Sequence, residues 1–397
     1  MFSRTLLALP LAALSLVLLL PCAHAQTVYV NGKKVNLKTL AKGGATYVEI
    51  APLVRAMGGQ IRYDKATGRF YVTTGGKGGS GAATTPAATT TTTASAGTAQ
   101  LAGDQGQFGE VYSIGKESPF YFRLTGAEYR VDRLRFGDTV VYPERDKKLL
   151  VLRFTIQNPQ KREATLRWDS LSFTAVDSAN VNHEYAELLG DERNSGQLDI
   201  SLKPAQRVSA YTVIKVPANV SVPKLMVLPR DGSPVLRYDL RGKVKAVPAP
   251  FADPKDQTGA AALPLVTVPM GDYYPCCDFD VALEKAEYST QAIREETLEE
   301  GERFLVLTVR VKNQSPQENT YRWDTFEPEL RTTDGERLEY NEHLLLATSN
   351  READLTLHPG EEVRVRYFYR IPEGATAKSF SLRNARYDGR TLVFELP

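Results

Sequence analysis

Apolar and polar residues alternate along many short stretches of the chain, and this pattern predicts β-strands. In the segment 363–367 (Val-Arg-Val-Arg-Tyr), one strand face would be apolar and the other basic. The segments 149–156, 211–216 and 304–311 are similar, with Pro, Gly, Asn and Asp between them. Many short strands without helical spacing favour a mainly β protein built from immunoglobulin-like β-sandwiches.

The same pattern occurs twice along the chain. The segment from Leu150 to Asn158, followed by Arg-Trp-Asp around Trp168, returns from Leu305 to Asn313, followed by Arg-Trp-Asp around Trp323. A repeat of this length indicates one fold used twice. The pattern is similar to bacterial immunoglobulin-like envelope domains of unassigned function.

Trp168 and Trp323 are the only two tryptophans of the chain. Large aromatic side chains dominate the cores of β-sandwiches. We therefore predict that both indoles are structural core residues, each filling one sandwich. The alternative is an exposed indole that stacks on a ligand.

The first 25 residues have the pattern of a cleaved export signal. Arg4 precedes the largely apolar run 6–20, and Ala-His-Ala at 23–25 is a typical cleavage site. A lipoprotein acylated at Cys22 is the alternative. Beyond the signal no apolar run is long enough to predict a membrane span. We therefore expect an exported protein of the periplasm, the cell envelope or the cell surface.

Residues 26–75 are predicted to form a small α+β domain. Asn-Gly at 31–32, between two short polar-apolar segments, predicts a hairpin. The segments 61–63 and 69–72 predict a second hairpin. Between the hairpins, apolar residues recur at helical spacing over 50–57.

This domain resembles the copper amine oxidase N-terminal-like domain, an α+β stalk module of exported bacterial proteins. The matching sequence segments are Val-Asn-Gly-Lys at 30–33, Tyr-Val-Glu-Ile-Ala-Pro-Leu-Val at 47–54, Met-Gly-Gly at 57–59 and Tyr-Asp at 63–64. The resemblance implies attachment or spacing and does not imply catalysis. Amine oxidases carry their copper histidines and modified tyrosine in a separate, larger domain. This sequence shows neither the histidines nor the tyrosine motif of that domain.

Composition marks the remaining boundaries. A Thr-, Gly- and Ala-rich segment, 76–104, predicts a flexible linker, because it has too little apolar surface to order itself. The repeat then predicts one sandwich at 105–246 and a second at 268–397. A Pro- and Ala-rich linker, 247–267, joins them.

Three histidines remain after the signal, His183, His343 and His358. Imidazole is a common ligand of copper and zinc, so these three residues are the candidate metal ligands. The sequence contains no H-x-H or H-E-x-x-H spacing. Surface histidines without a metal are the alternative.

Cys276 and Cys277 are adjacent, which is unusual. Adjacent cysteines can form a strained disulfide, bond to another chain, or bind a soft metal such as Cu(I). A rigid loop with no redox role is the alternative.

The charges are balanced, with 49 Lys and Arg against 47 Asp and Glu. This balance argues against a nucleic-acid-binding protein. The leading hypothesis is a non-catalytic binding or structural role towards a surface layer, a wall polymer or an envelope protein, with homo-oligomer formation left open. A copper-dependent redox enzyme such as a superoxide dismutase is the alternative, with copper as its cofactor. A secreted inhibitor or sugar binder is a third hypothesis.

Overall fold

The computed structural model describes residues 103–397, except positions 295, 339 and 341, together with six strands between residues 26 and 74. The chain divides into two compact units, residues 1–97 and 98–397. The described residues form strands and turns, without an α-helix. Among them there is accordingly no helix of the length and apolarity that a membrane span needs.

Three antiparallel hairpins are described in the first unit. The two hairpins expected from the sequence are the first and third of these, and both are confirmed. The helix expected at 50–57, the export signal at 1–25 and most of the linker at 76–104 lie outside the described residues, so the stalk-domain resemblance stays a prediction. The hairpins are β1 (Gln26–Val30) with β2 (Lys33–Leu37), β3 (Thr39–Lys42) with β4 (Ala45–Val48), and β5 (Gly59–Asp64) with β6 (Arg69–Thr74).

The second unit begins with a β-sandwich of two main sheets. Its strands are β7 (Gly103–Gly106), β8 (Tyr112–Ile114), β9 (Phe120–Arg130), β10 (Leu134–Phe136), β11 (Thr139–Val141), β12 (Lys147–Gln157), β13 (Ala164–Leu166), β14 (Leu171–Val176), β15 (Asn182–Glu184), β16 (Gly190–Asp191), β17 (Ile200–Leu202), β18 (Arg207–Pro217), β19 (Lys224–Pro229), β20 (Val235–Asp239) and β21 (Val244–Lys245). One sheet has the order β16-β18-β12-β9-β21, with β8 also on β9, and the other has the order β15-β14-β19-β20-β7.

A second sandwich follows with the same plan. Its strands are β22 (Leu265–Val268), β23 (Tyr274–Cys276), β24 (Phe279–Ser289), β25 (Glu302–Asn313), β26 (Asn319–Tyr321), β27 (Phe326–Thr332), β28 (Arg337–Leu338), β29 (Leu345–Leu346), β30 (Leu355–Leu357), β31 (Glu362–Pro372), β32 (Ala377–Asn384) and β33 (Thr391–Glu395). The sheets have the orders β23-β24-β25-β31-β29 and β22-β33-β32-β27-β28. The mainly β class and the sandwich architecture predicted from alternation are confirmed.

Aromatic side chains fill the interior of each sandwich. Phe154 packs against Phe173 with ring centroids 5.1 Å apart, and both rings are fully buried. In the second sandwich Phe279 packs against Phe326 at 5.8 Å. Burying a side chain of this size contributes about 2–3 kcal/mol, so a few such rings dominate each core.

The central strands are buried on both faces. In β12 the apolar run 149–152 is fully buried, because Leu149 and Val151 face a second cluster that includes Phe136. Phe136 lies on the β10–β11 hairpin, which covers the outer face of the sheet. Phe304 and Val306 of β25 belong to the corresponding outer cluster of the second sandwich.

One turn is repeated bond for bond in the two sandwiches. The Asn158 side chain is fully buried, and its Nδ2 donates to the carbonyls of Arg162 and Leu202, both at 2.8 Å. Asn313 Nδ2 donates at the same distances to the carbonyls 4 and 44 residues further along the chain. The two halves therefore share their detailed structure as well as their topology.

The segment predicted as a linker, 247–267, is packed against its neighbours. Phe251, Ala260 and Ala262 are buried, and the Ala262 N–H donates to the Ala218 carbonyl at 2.9 Å. The segment's last residues already belong to β22, which begins at Leu265. The connection therefore differs from the sequence expectation, since it is part of the folded unit.

Candidate functional site

The repeated Arg-Trp-Asp sequence forms a tight turn at equivalent positions of the two sandwiches. In the first, the Ser170 N–H donates to the Arg167 carbonyl at 3.0 Å, and the Arg167 N–H donates to the Ser170 hydroxyl at 2.9 Å. Thr325 and Arg322 make the same two bonds, again at 3.0 and 2.9 Å. In each turn the arginine also forms a two-point ion pair with the aspartate two residues later. Each turn therefore holds its own tryptophan rigidly, between the paired arginine and aspartate.

The prediction that both tryptophans are core residues is wrong. Trp323 is 45% exposed, and Trp168 is only partly buried. The physical reason is their position in turns, where the chain leaves the sheets, while phenylalanine and tyrosine side chains of the strands fill the two cores.

The two indoles have different surroundings. The guanidinium of Arg230 lies 5.1 Å from the Trp168 ring, a cation–π contact. Strand register places Ala385 at the position that matches Arg230, since Pro229 pairs with Leu171 as Asn384 pairs with Phe326. The second turn thus lacks the arginine that covers the first indole.

The cleft beside the second turn is also larger. It has a volume of about 640 Å³ and a polar lining that includes Asn319, Arg322, Asp324 and Arg386. The equivalent cleft of the first sandwich has a volume of about 180 Å³.

Asp231 lines the smaller cleft. Its carboxylate accepts hydrogen bonds from the backbone N–H groups of Lys116 and Glu117, the second at 3.2 Å. These bonds link the turn that follows β19 to the loop between β8 and β9. Arg386 holds the matching position in the second sandwich and lines the larger cleft.

The structure does not bring the three candidate metal ligands together. His183 Nε2 lies 2.8 Å from Asp177, His343 Nδ1 lies 3.6 Å from Glu352, and His358 Nδ1 lies 2.7 Å from a third carboxylate, that of Glu318. Within residues 103–397 as described, no group of three or more His, Cys, Asp and Glu side chains could hold a metal ion. The three histidines therefore do not meet in one metal site within the described residues. Their role as ligands of separate sites and the binding of copper stay predictions, and metal analysis of the purified protein tests both.

Cys276 and Cys277 are both free thiols. Cys276 is buried, and its burial holds the pKa of the thiol well above its ordinary value. Burial also raises the pKa of Cys277 to about 12. Because the thiolate is the reactive species, both residues are poor nucleophiles at neutral pH. The structure thus favours the rigid-loop alternative over the redox or disulfide prediction for this pair.

Sequence reasoning missed the contacts that join the two sandwiches. They come from the segment 131–146, which is four residues longer than its counterpart, 290–301. Arg133 Nε donates to the Cys277 carbonyl at 2.7 Å, and its Nη2 donates to the Phe279 carbonyl at 2.9 Å. The same Nη2 forms an ion pair with Asp280 at 2.5 Å. The available signal was the repeat spacing, which is 159 residues from Tyr129 to Tyr288 before the segment and 155 residues from Trp168 to Trp323 after it.

Two further contacts strengthen this junction. The Tyr142 ring stacks on Tyr387 with centroids 4.7 Å apart, and its hydroxyl donates to Asp278. Arg390 of the second sandwich is buried and donates to the Lys147 carbonyl of the first. The two sandwiches therefore form one joined body.

Comparison with known proteins gives one family match, at residues 277–391, to the family described as "Domain of unknown function (DUF4352)". This range spans most of the second sandwich. The curated proteins contain no match to the chain.

Several solved structures are similar. An uncharacterized β-sandwich protein from Clostridium difficile 630 is 16% identical, and the match covers 37% of this chain and 99% of that one with a TM-score of 0.29. The secreted protein MPT63 from Mycobacterium tuberculosis is 10% identical, with 34% and 95% covered and a TM-score of 0.25. A putative lipoprotein (ycdA) from Bacillus subtilis is 8% identical, with 50% and 72% covered and a TM-score of 0.24. TM-scores this low support no inference about the function of this chain.

Proposed function

We propose that this chain is an exported, non-catalytic binding protein of the cell envelope, and that its second Arg-Trp-Asp turn contacts the partner. The export signal pattern at 1–25 supports the location. The observation that carries the proposal is the exposed indole of Trp323 on a rigid turn beside a polar cleft of about 640 Å³.

Energetics support a binding role for this indole. A tryptophan side chain can bury roughly 150–250 Å², and each buried Å² contributes about 25 cal/mol. With 45% of Trp323 exposed, contact with a partner can still add about 2 kcal/mol. Tryptophan and arginine are also the residue types most enriched at binding hot spots.

The first sandwich provides an internal comparison. The Trp168 ring is covered by Arg230 and its cleft is small, so the duplicated turn has diverged into a version with a covered indole and an open version with an exposed indole. The open version is the one that we assign to binding. A surface layer, a wall polymer or another envelope protein would be its partner.

Co-sedimentation of the mature chain with envelope fractions of the producing bacterium tests the proposal. Trp323→Ala should lose most of the bound protein. Ala385→Arg should also reduce binding, because it supplies the arginine that covers the indole of the first turn. Val181→Ala is the matched control, since Val181 is a 51% exposed apolar residue outside the turns. Equal binding of the wild-type protein and Trp323→Ala would contradict the proposal.

A further inference from the structure

Two adjoining clefts lie at the junction of the sandwiches, away from the Arg-Trp-Asp turns. One has a volume of about 460 Å³ and the other of about 580 Å³. Arg130, Asp132 and Arg153 line both clefts, so the two are direct neighbours. We call this feature the junction groove.

Four arginines line the first cleft of the junction groove, two of them shared with the second cleft, and neighbouring groups hold them in place. Arg153 makes ion pairs with Glu128 at 2.8 Å and with Glu192 at 3.0 Å. Arg135 donates from Nε to the Gly137 carbonyl at 2.6 Å. A guanidinium has five N–H donors, so these contacts fix each arginine without using all of its donors. The groove-lining arginines are Arg130, Arg133, Arg135 and Arg153.

Aromatic and proline side chains line the second cleft. Tyr273 and Tyr274 of the second sandwich line this cleft together with Pro248, Pro250 and Phe251 of the connecting segment. One face of Tyr273 already carries the Arg310 guanidinium, 4.6 Å from the ring. Tyr274 remains partly exposed.

The charge of the groove favours an anion. Five basic side chains line it, the four arginines and Lys245, against the lining carboxylates of Glu128, Asp132 and Glu192 and that of Asp280, which pairs with Arg133, so one positive charge is in excess. Arginine recognises carboxylate and phosphate groups through paired N–H donors. Because ion pairs and carbonyls already position the guanidinium groups, a ligand would pay little ordering entropy.

We propose that the junction groove binds an anionic polysaccharide. A sugar ring packs on Tyr274, and the negative groups of the chain bind the arginines. Two neighbouring clefts that share three lining residues suit a linear chain, and the combination of an aromatic ring with guanidinium groups matches the two faces of an acidic sugar. This site is separate from the Trp323 turn.

Titration calorimetry of the mature chain with an oligogalacturonate of about ten sugars, at about 0.05 M NaCl, tests the proposal. Arg135→Gln and Tyr274→Ala should each weaken binding about fivefold to tenfold, as expected for loss of roughly 1 kcal/mol or more of contact energy. Arg135 makes no bond across the junction, so its substitution leaves the two sandwiches joined. Arg162→Gln, another exposed arginine of the first sandwich, and Trp323→Ala should both bind as the wild type does.

Two comparison probes separate the sources of affinity. A maltodextrin of equal length carries the sugar rings without charge and should bind at least tenfold more weakly. Polyphosphate carries charge without sugar rings and should be insensitive to Tyr274→Ala. Absence of oligogalacturonate binding, equal affinity for the neutral chain, or full binding by Arg135→Gln would each overturn the proposal. Failure of the Trp323 test would leave these results unchanged.

Discussion

At the scale of single residues, two buried asparagines hold the same turn in both sandwiches. Asn158 Nδ2 donates hydrogen bonds to two backbone carbonyls, and its Oδ1 accepts a hydrogen bond from the N–H of Gln160 at 2.9 Å. Asn313 makes the matching bonds, including one from the N–H of Ser315 at 2.9 Å. A shorter side chain would leave buried polar groups of the backbone without partners.

Asn158→Ala and Asn313→Ala are therefore each expected to lower the free energy of unfolding by about 2–3 kcal/mol, the cost of leaving buried polar groups unpaired. Urea unfolding monitored by circular dichroism measures this loss. Asn194→Ala is the control, because Asn194 is exposed and bonds only to the N–H of Gly196. Its loss should be below about 0.5 kcal/mol. Similar losses at buried and exposed positions would be inconsistent with this role.

Lys148 is a second residue with a measurable signature. It is fully buried, and its Nζ donates to the carbonyls of Ala218 at 3.0 Å, Val220 at 2.6 Å and Ala260. Burial lowers its pKa to about 8. The unfolded chain has an ordinary lysine pKa of about 10.4. Between these values the unfolded chain holds a proton that the folded chain lacks, so stability should rise with pH across this window.

Comparison of the wild-type protein with Lys148→Met tests this pH dependence. The difference in unfolding free energy between them should shift in favour of the wild type from pH about 8 to about 10. Other titrating groups are common to both proteins and cancel in the difference. A difference that stays constant with pH would mean that Lys148 has an ordinary pKa.

At the scale of elements, the β10–β11 hairpin and the rest of segment 131–146 connect the two sandwiches. The hairpin covers the outer face of its own sheet through Leu134 and Phe136. The same segment places Arg133 against three acceptors of the second sandwich. One element therefore completes a core and fixes the geometry of the junction.

Arg133→Ala should weaken the coupling between the sandwiches by about 2 kcal/mol, because it removes charged hydrogen bonds across the junction. Scanning calorimetry should then show two transitions in residues 103–397 where the wild type shows one. Arg135→Ala lies in the same segment, and the Arg135 side chain donates only to the Gly137 carbonyl, so this variant should keep a single transition. Retention of one transition by Arg133→Ala would show that other contacts carry the coupling.

Different elements were predictable to different degrees. The central strands β12 and β25 follow from their apolar runs, and their burial on both faces explains why those runs are continuous. The positions of Trp168 and Trp323 did not follow, because indole size predicts burial only for residues within strands. The arginine and aspartate on either side of each indole, followed by Ser170 or Thr325, are typical of a turn and are the signal that was missed.

At the scale of the whole molecule, the duplicated halves differ where function is proposed. Their topology agrees, which the 155-residue repeat from Trp168 to Trp323 allowed us to predict, and the structure adds the matching asparagine turns. The junction required the tertiary structure, because Arg133 and its acceptors are about 145 positions apart in the chain. The scattered histidines show the same limit, since residue type alone does not determine which side chains meet.

The central claim is that Trp323 contacts the envelope partner, and fluorescence quenching tests it most directly. In Trp168→Phe, Trp323 is the only tryptophan of the chain. Its emission should be readily quenched by acrylamide in the free protein, since the indole is 45% exposed. Addition of envelope fractions that sediment with the protein should protect the indole and lower the quenching constant. An unchanged quenching constant in protein that is bound to the envelope would contradict the account.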